Sequence, residues 1–237
     1  CDAFFKAEDR SVLASLGSII VNRGDSTALG YLREAEAIRR ARPGPVDPEL
    51  ARIYHSQATW QLTQQDWRGT VATCERGLAA ATSNPPLVRI VTGQLHALRV
   101  RALALGTDTT GLALACDEMD HAMVTLALDS SSVSDAVHLA RSYARTTQGR
   151  DAEAWSEAVV AQASSHERAL ASARTLSDQY ALLRQASASE ALDRLFALAP
   201  SGSSERLAFA WDRLVRARGL VRAELARRHP PAALRAD

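Results

Sequence analysis

The densest group of chemically capable side chains is Cys116-Asp117-Glu118-Met119-Asp120-His121. On a helix, Asp117 and His121 are four residues apart, share one face and offer an oxygen and a nitrogen to a metal ion. A closed zinc site needs two further ligands, and neither Cys-x-x-Cys nor His-Glu-x-x-His spacing occurs in the chain. The run therefore reads as a solvated helix face. A thiol nucleophile needs a histidine beside it, on loops that bring the two together. Cys74 and Cys116 fall instead in stretches of helix-forming composition. His166-Glu167 lacks the second histidine of a zinc protease. Gly106 and Gly111 flank a Thr/Asp turn with no Lys-Ser/Thr to hold a phosphate. The expectation is a chain with no catalytic residues, no metal site and no cofactor.

The elements that would position any site follow from composition and punctuation. The 237 residues are 46% hydrophobic and 23% charged, enough for a packed core in one extended domain or two small ones. Twenty-eight basic residues against 27 acidic ones leave a net charge of +1, which argues for neither nucleic acid nor an anionic membrane. Lys6 is the sole lysine, so the basic side is almost entirely arginine, as GC-rich bacterial coding gives. Cys1, Cys74 and Cys116 are odd in number and far apart, so no disulfide framework is expected. No apolar run reaches the ~18 residues of a membrane span, and the start carries no signal-peptide pattern. A cytoplasmic chain, trimmed from a longer protein, is the expectation.

Prolines fall at 43, 45, 48, 85, 86, 200, 230 and 231, and the long stretch Leu87–Ala199 has none. That stretch is rich in Ala, Leu, Arg, Glu and Gln, the residues that cost a helix least. Strand alternation is absent, so the chain reads as all-α. Three passages, from Ser11, from Glu49 and from Ser130, each read as a helix, a short polar turn and a second helix. Small residues recur in them at corresponding positions, with the first unit a residue short and the third carrying a longer turn, which lets two helices approach closely. Gly17, Ala58 and Ala140 stand on the first helix of each unit. Ala28, Thr70 and Ala154 stand on the second, followed by Ala35, Gly77 and Ala161. Trp67 follows its turn as a large residue that fills the remaining gap. These residues resemble the tetratricopeptide repeat, a unit of about 34 residues. The resemblance implies antiparallel helix pairs stacked in a right-handed superhelix, with Trp67 buried between the helices of its pair. Residues 1–199 are expected to form the repeats and 200–237 a long amphipathic helix that caps or links. The concave groove would be lined by Ser18, Asn22, Arg52, His55, Thr59 and Arg141. His55 and Thr59 stand where repeats that grip a carboxylate tail have Lys and Asn.

After Pro200-Ser201-Gly202 the residues Leu207, Trp211, Leu214, Val221 and Leu225 recur at steps of three, four and seven. This stripe is expected to dock on the preceding helix pair, near Leu192, Leu195 and Phe196. Arg218, Leu220, Val221, Glu224, Leu225, Ala226, Arg227 and Arg228 are similar to the helix that precedes the protease in CHAT-domain proteins. The resemblance implies a non-catalytic, regulatory and protein-binding region beside a caspase-like protease domain that lies outside this chain. Arg216 and Arg222 would then face that downstream domain. The alternative is a repeat region of a signalling or transcription regulator.

Overall fold

A computed structural model describes residues 27–41, 49–81, 86–106, 109–126, 130–175, 189–200 and 204–228. Gly17, Ser18 and Asn22 lie outside them. The described residues form nine α-helices: α1 (Thr27–Arg40), α2 (Glu49–Thr63), α3 (Trp67–Ala80), α4 (Pro86–Leu105), α5 (Leu112–Thr125), α6 (Ser130–Thr147), α7 (Asp151–Thr175), α8 (Ser189–Leu198) and α9 (Ser204–Arg228). Pro86 sits at the first position of α4, where a missing N–H costs nothing. The α2–α3 turn is tight. Gln65 adopts φ 59°, and the Asp66 carboxylate accepts from the Gly69 N–H at 2.9 Å to cap α3. Between α6 and α7, Gly149 takes φ 72°, the left-handed geometry that glycine adopts without strain.

The chain divides into two compact units, Cys1–Ala144 and Arg145–Asp237. In the first, α1 packs on α2, α2 on α3 and α4, and α4 on α5. Leu32, Ile53 and Tyr54 form one core cluster, while Ala58, Cys74, Leu95 and Leu98 form a second. Val100, Met119, Val133 and Val137 form a third, which joins α4, α5 and α6. Gly77 is the point of closest approach. A Cβ there would lie 2.8 Å from a Leu95 methyl and 3.0 Å from the Tyr54 Cβ. Trp67 is only half-buried against the second cluster, a departure from the interior position expected for it. Its outer side lines an open cleft beside the end of α4 at Leu105.

In the second unit α9 packs on α7 and α8. Of the expected stripe, Leu214 faces them, Leu207 and Trp211 lie towards the outside, and the side chains of Val221 and Leu225 lie outside the described residues. Phe209, Ala210, Leu214 and Ala217 meet the cluster of Ala154, Ala158, Leu192, Leu195 and Leu198. Leu207 and Trp211 remain 44% and 54% exposed. The reason is steric. Ala210, Ala154 and Ala158 are all fully buried in one cluster, so small residues take the inner places where α9 and α7 meet. Trp211 lies at the margin, edge-on to Phe196 with ring centres 5.3 Å apart. Phe209 takes the inner aromatic place, 5.9 Å from Trp155.

Candidate protein-binding surface

A polar knot ties the first three helices together. Glu36 on α1 points inward one residue after Ala35, with 14% of its side chain exposed. Its Oε1 accepts from the Tyr54 hydroxyl at 2.9 Å and its Oε2 from the Gln57 amide at 2.9 Å. Arg40 donates to the same hydroxyl at 2.7 and 3.0 Å, and Arg76 on α3 lies 3.7 Å from Glu36. Both guanidinium groups also stand over the Tyr54 ring, at 5.9 and 5.1 Å. Burial raises the Tyr54 pKa, and the Tyr54 hydrogen bond raises that of Arg40, so both keep their usual protonation at neutral pH. Charge, hydroxyl and amide are thus mutually satisfied, and the knot sets the α1–α2–α3 geometry. Sequence reading passed over Glu36. Its signal was a carboxylate on the apolar side of α1, four residues after the fully buried Leu32.

The anticipated groove residues are partly dispersed. Arg52, His55 and Thr59 follow one another along α2. Arg52 is exposed and bonded to Glu49 at 2.9 Å, and the Thr59 hydroxyl donates to the His55 carbonyl at 2.8 Å. Burial, helped by the Arg52 charge, pushes His55 down to about 4, which makes it a neutral imidazole near pH 7. The residue as a whole is half-buried on α2. Arg141 is on α6 and donates to Asp120 of α5 at 2.6 Å. Arg216 lies in the other unit, 2.9 Å from Asp212 on its own helix. The side chain of Arg222 lies outside the described residues. Two further arginines are placed inward. Arg99 bonds Glu118 and lies 3.6 Å from Glu75, bridging α3, α4 and α5. Arg101 is buried over the Tyr143 ring, and burial lowers it to about 10, still charged at neutral pH.

The concavity of the first unit that the sequence did not anticipate lies at the α2–α3 turn. An open cleft of about 530 Å³ runs between the start of α3 and the end of α4. Trp67, Val71, Ala72, Ala102 and Leu103 give it apolar walls, and Asp66, Arg68 and Glu75 stand at its edge. Gly106 lies beside Trp67, where a Cβ would stand 3.4 Å from that of the tryptophan, an ordinary contact. An apolar floor with both charge signs at the rim suits a side chain of an incoming peptide, held by polar contacts to its backbone.

Thiol chemistry is not offered by Cys74. It is fully buried, and burial pushes it up to about 12, so no thiolate forms near neutral pH. Among the described residues no group of three or more His, Cys, Asp or Glu could hold a metal ion. No helix there is long and apolar enough to cross a membrane. Comparison of the chain with protein-family models, curated proteins and solved structures finds no match in any of the three.

Proposed function

We propose that this chain is a non-catalytic, protein-binding and regulatory region built from tetratricopeptide-like helix pairs. The observation that carries the reading is the burial of the small residues. Ala35, Ala58, Thr70, Gly77, Ala140, Ala154 and Ala161 occupy the offsets the repeat requires, and every one is buried. The spacing of seven between Thr70 and Gly77 recurs between Ala154 and Ala161, and such buried small residues support close pairing of helices in each unit. The cleft beside Trp67 is the binding place in this reading, with neutral His55 and Arg52 on α2 as further contacts. The resemblance of the α9 sequence to the helix before a CHAT protease supports a position beside such a domain. That part is tested by reading the parent gene past Asp237 for a His–Cys protease domain.

Selection from a displayed random-peptide library tests the binding. The chain should enrich one related set of sequences, and Trp67→Ala or Arg68→Glu should lower their affinity at least tenfold. No consistent motif, or a motif indifferent to both variants, would refute the reading.

A further inference from the structure

The cleft beside Trp67 has two ends of opposite charge, and two contacts fix which end is which. At one end Gly106 of α4 meets Trp67 of α3, where a Cβ would stand 3.4 Å from that of the tryptophan. At the other end Arg99 of α4 lies 3.6 Å from Glu75 of α3. The two helices therefore run antiparallel along the cleft, with Arg68 near the first end and Glu75 at the second. These two stand seven residues apart, about 10 Å along the helix axis.

The charges at the rim are not equally free. Asp66 serves its own helix, since its carboxylate caps α3 through the Gly69 N–H at the positive helix end. The Arg68 guanidinium is exposed and has neither a hydrogen bond nor an ion pair among the described residues. Glu75 shares its partner. Arg99 also bonds Glu118 of α5, so one guanidinium faces two carboxylates. The Glu75 side chain stays 54% exposed, and its second oxygen is unbonded. One end thus offers a free cation, and the other carries one negative charge in excess among these three groups. Between them Trp67, Val71 and Leu103 present an apolar floor.

We infer that the cleft selects by charge order, and that its ligand is an extended peptide segment with an acidic residue at Arg68, an apolar side chain on the floor and a basic residue at Glu75. This rests on the reading of the cleft as a peptide site and adds the class of peptide. An extended chain puts every second side chain on one face, at a rise of about 3.3 Å per residue. Acid, apolar residue and base at alternate positions then span about 13 Å, and long charged side chains take up the small excess over the helix spacing. At about 530 Å³ the cleft is within the range of sites that enclose small ligands, enough for the central side chain. Repulsion sets the order as much as attraction does, because the opposite order brings like charges together at both ends. The order is spatial, so the test changes one end at a time.

Selection from a random nine-residue display library tests this on the natural chain, on Arg68→Glu and on Glu75→Lys. Both positions are exposed, and Arg99 keeps Glu118, so circular dichroism should be unchanged. The natural chain should enrich an acid and a base four positions apart, with a large apolar residue midway. Arg68→Glu should exchange the acid for a base and leave the rest of the motif alone. Glu75→Lys should exchange the base for an acid. The best peptide of the natural chain, resynthesised with its acid changed to lysine, should bind at least tenfold more weakly, and Arg68→Glu should recover most of that loss. Peptides that need Trp67 but prefer no charge at either end, or the same charges on all three proteins, would overturn the inference and leave the peptide reading standing. No enrichment, or peptides indifferent to Trp67→Ala, would overturn that reading and the inference with it.

Discussion

Gly77→Ala is the sharpest probe of the packing that defines the first unit. The added methyl would lie 2.8 and 3.0 Å from the two Leu95 methyls and 3.0 Å from the Tyr54 Cβ. Leu95 is fully buried. Tyr54 is pinned by its hydrogen bonds to Glu36 and Arg40, so it cannot simply back away. Overpacking of this kind costs about 1–3 kcal/mol. Alanine returns ~0.8–1 kcal/mol through its better helix propensity. Gly30 isolates that second contribution, because it lies on α1 of the same unit and a Cβ there meets nothing within 4 Å. Gly30→Ala should stabilise the unit, and Gly77→Ala should fall below Gly30→Ala by the whole overpacking cost, about 2–3 kcal/mol with both neighbours held. Urea unfolding followed by the fluorescence of Trp60 and Trp67 reads this directly, in a background with Trp155 and Trp211 changed to phenylalanine. Equal stability of the two variants, within about 0.3 kcal/mol, would refute the close approach of α3 to α2 and α4.

The half-buried state of Trp67 sets the cost of Trp67→Ala at about 1.5–2.5 kcal/mol, below the 3–5 of a fully buried tryptophan; urea titration checks it. Gln65 holds a left-handed backbone that costs a residue with a side chain about 1–2 kcal/mol, so Gln65→Gly should raise the melting temperature. Depressed histidines give the stability a defined pH dependence. Between about pH 6.5 and 4 the unfolded chain binds a proton that folded His55 refuses, so stability is lost as pH falls through that window. His96 and His166 are lowered by burial as well and add in the same direction. The His55 part is at most about 3 kcal/mol, and His55→Asn should flatten the slope of denaturation midpoints against pH. In the native state Cys74 should react with a maleimide far more slowly than in urea, as residue-resolved mass spectrometry of the labelled peptides would show.

Helical class was legible because proline punctuation and helix-favouring composition act locally, without tertiary context. The small residues were legible for a related reason. Thr70 and Gly77 stand seven residues apart, as do Ala154 and Ala161, and close helix approach is the physical use of such recurrence. The face that α9 buries was not legible, because the helix carries two apolar stripes of similar strength. Leu214 lies on the buried side as expected, but Phe209 and Ala210 compete with Leu207 and Trp211 for the rest of that face. What decides between them is the alanine surface of α7, a property of another helix some fifty residues away. The cleft was hidden for a similar reason. Trp67 read as a gap filler, and the cleft on its outer side is formed with Ala102 and Leu103 of α4, some thirty-five residues away in the chain. Glu36 was visible as a charge on an apolar face, but its partners Tyr54, Gln57 and Arg76 come from two other helices.

The central claim is that the cleft between α3 and α4 receives a peptide. Nuclear magnetic resonance of the isotope-labelled chain, titrated with the best peptide from the library selection, tests it most directly. Shifts should centre on the Trp67 indole and on the amides of Arg68, Val71, Ala102 and Leu103. Saturating binding that leaves those signals unmoved would contradict the claim.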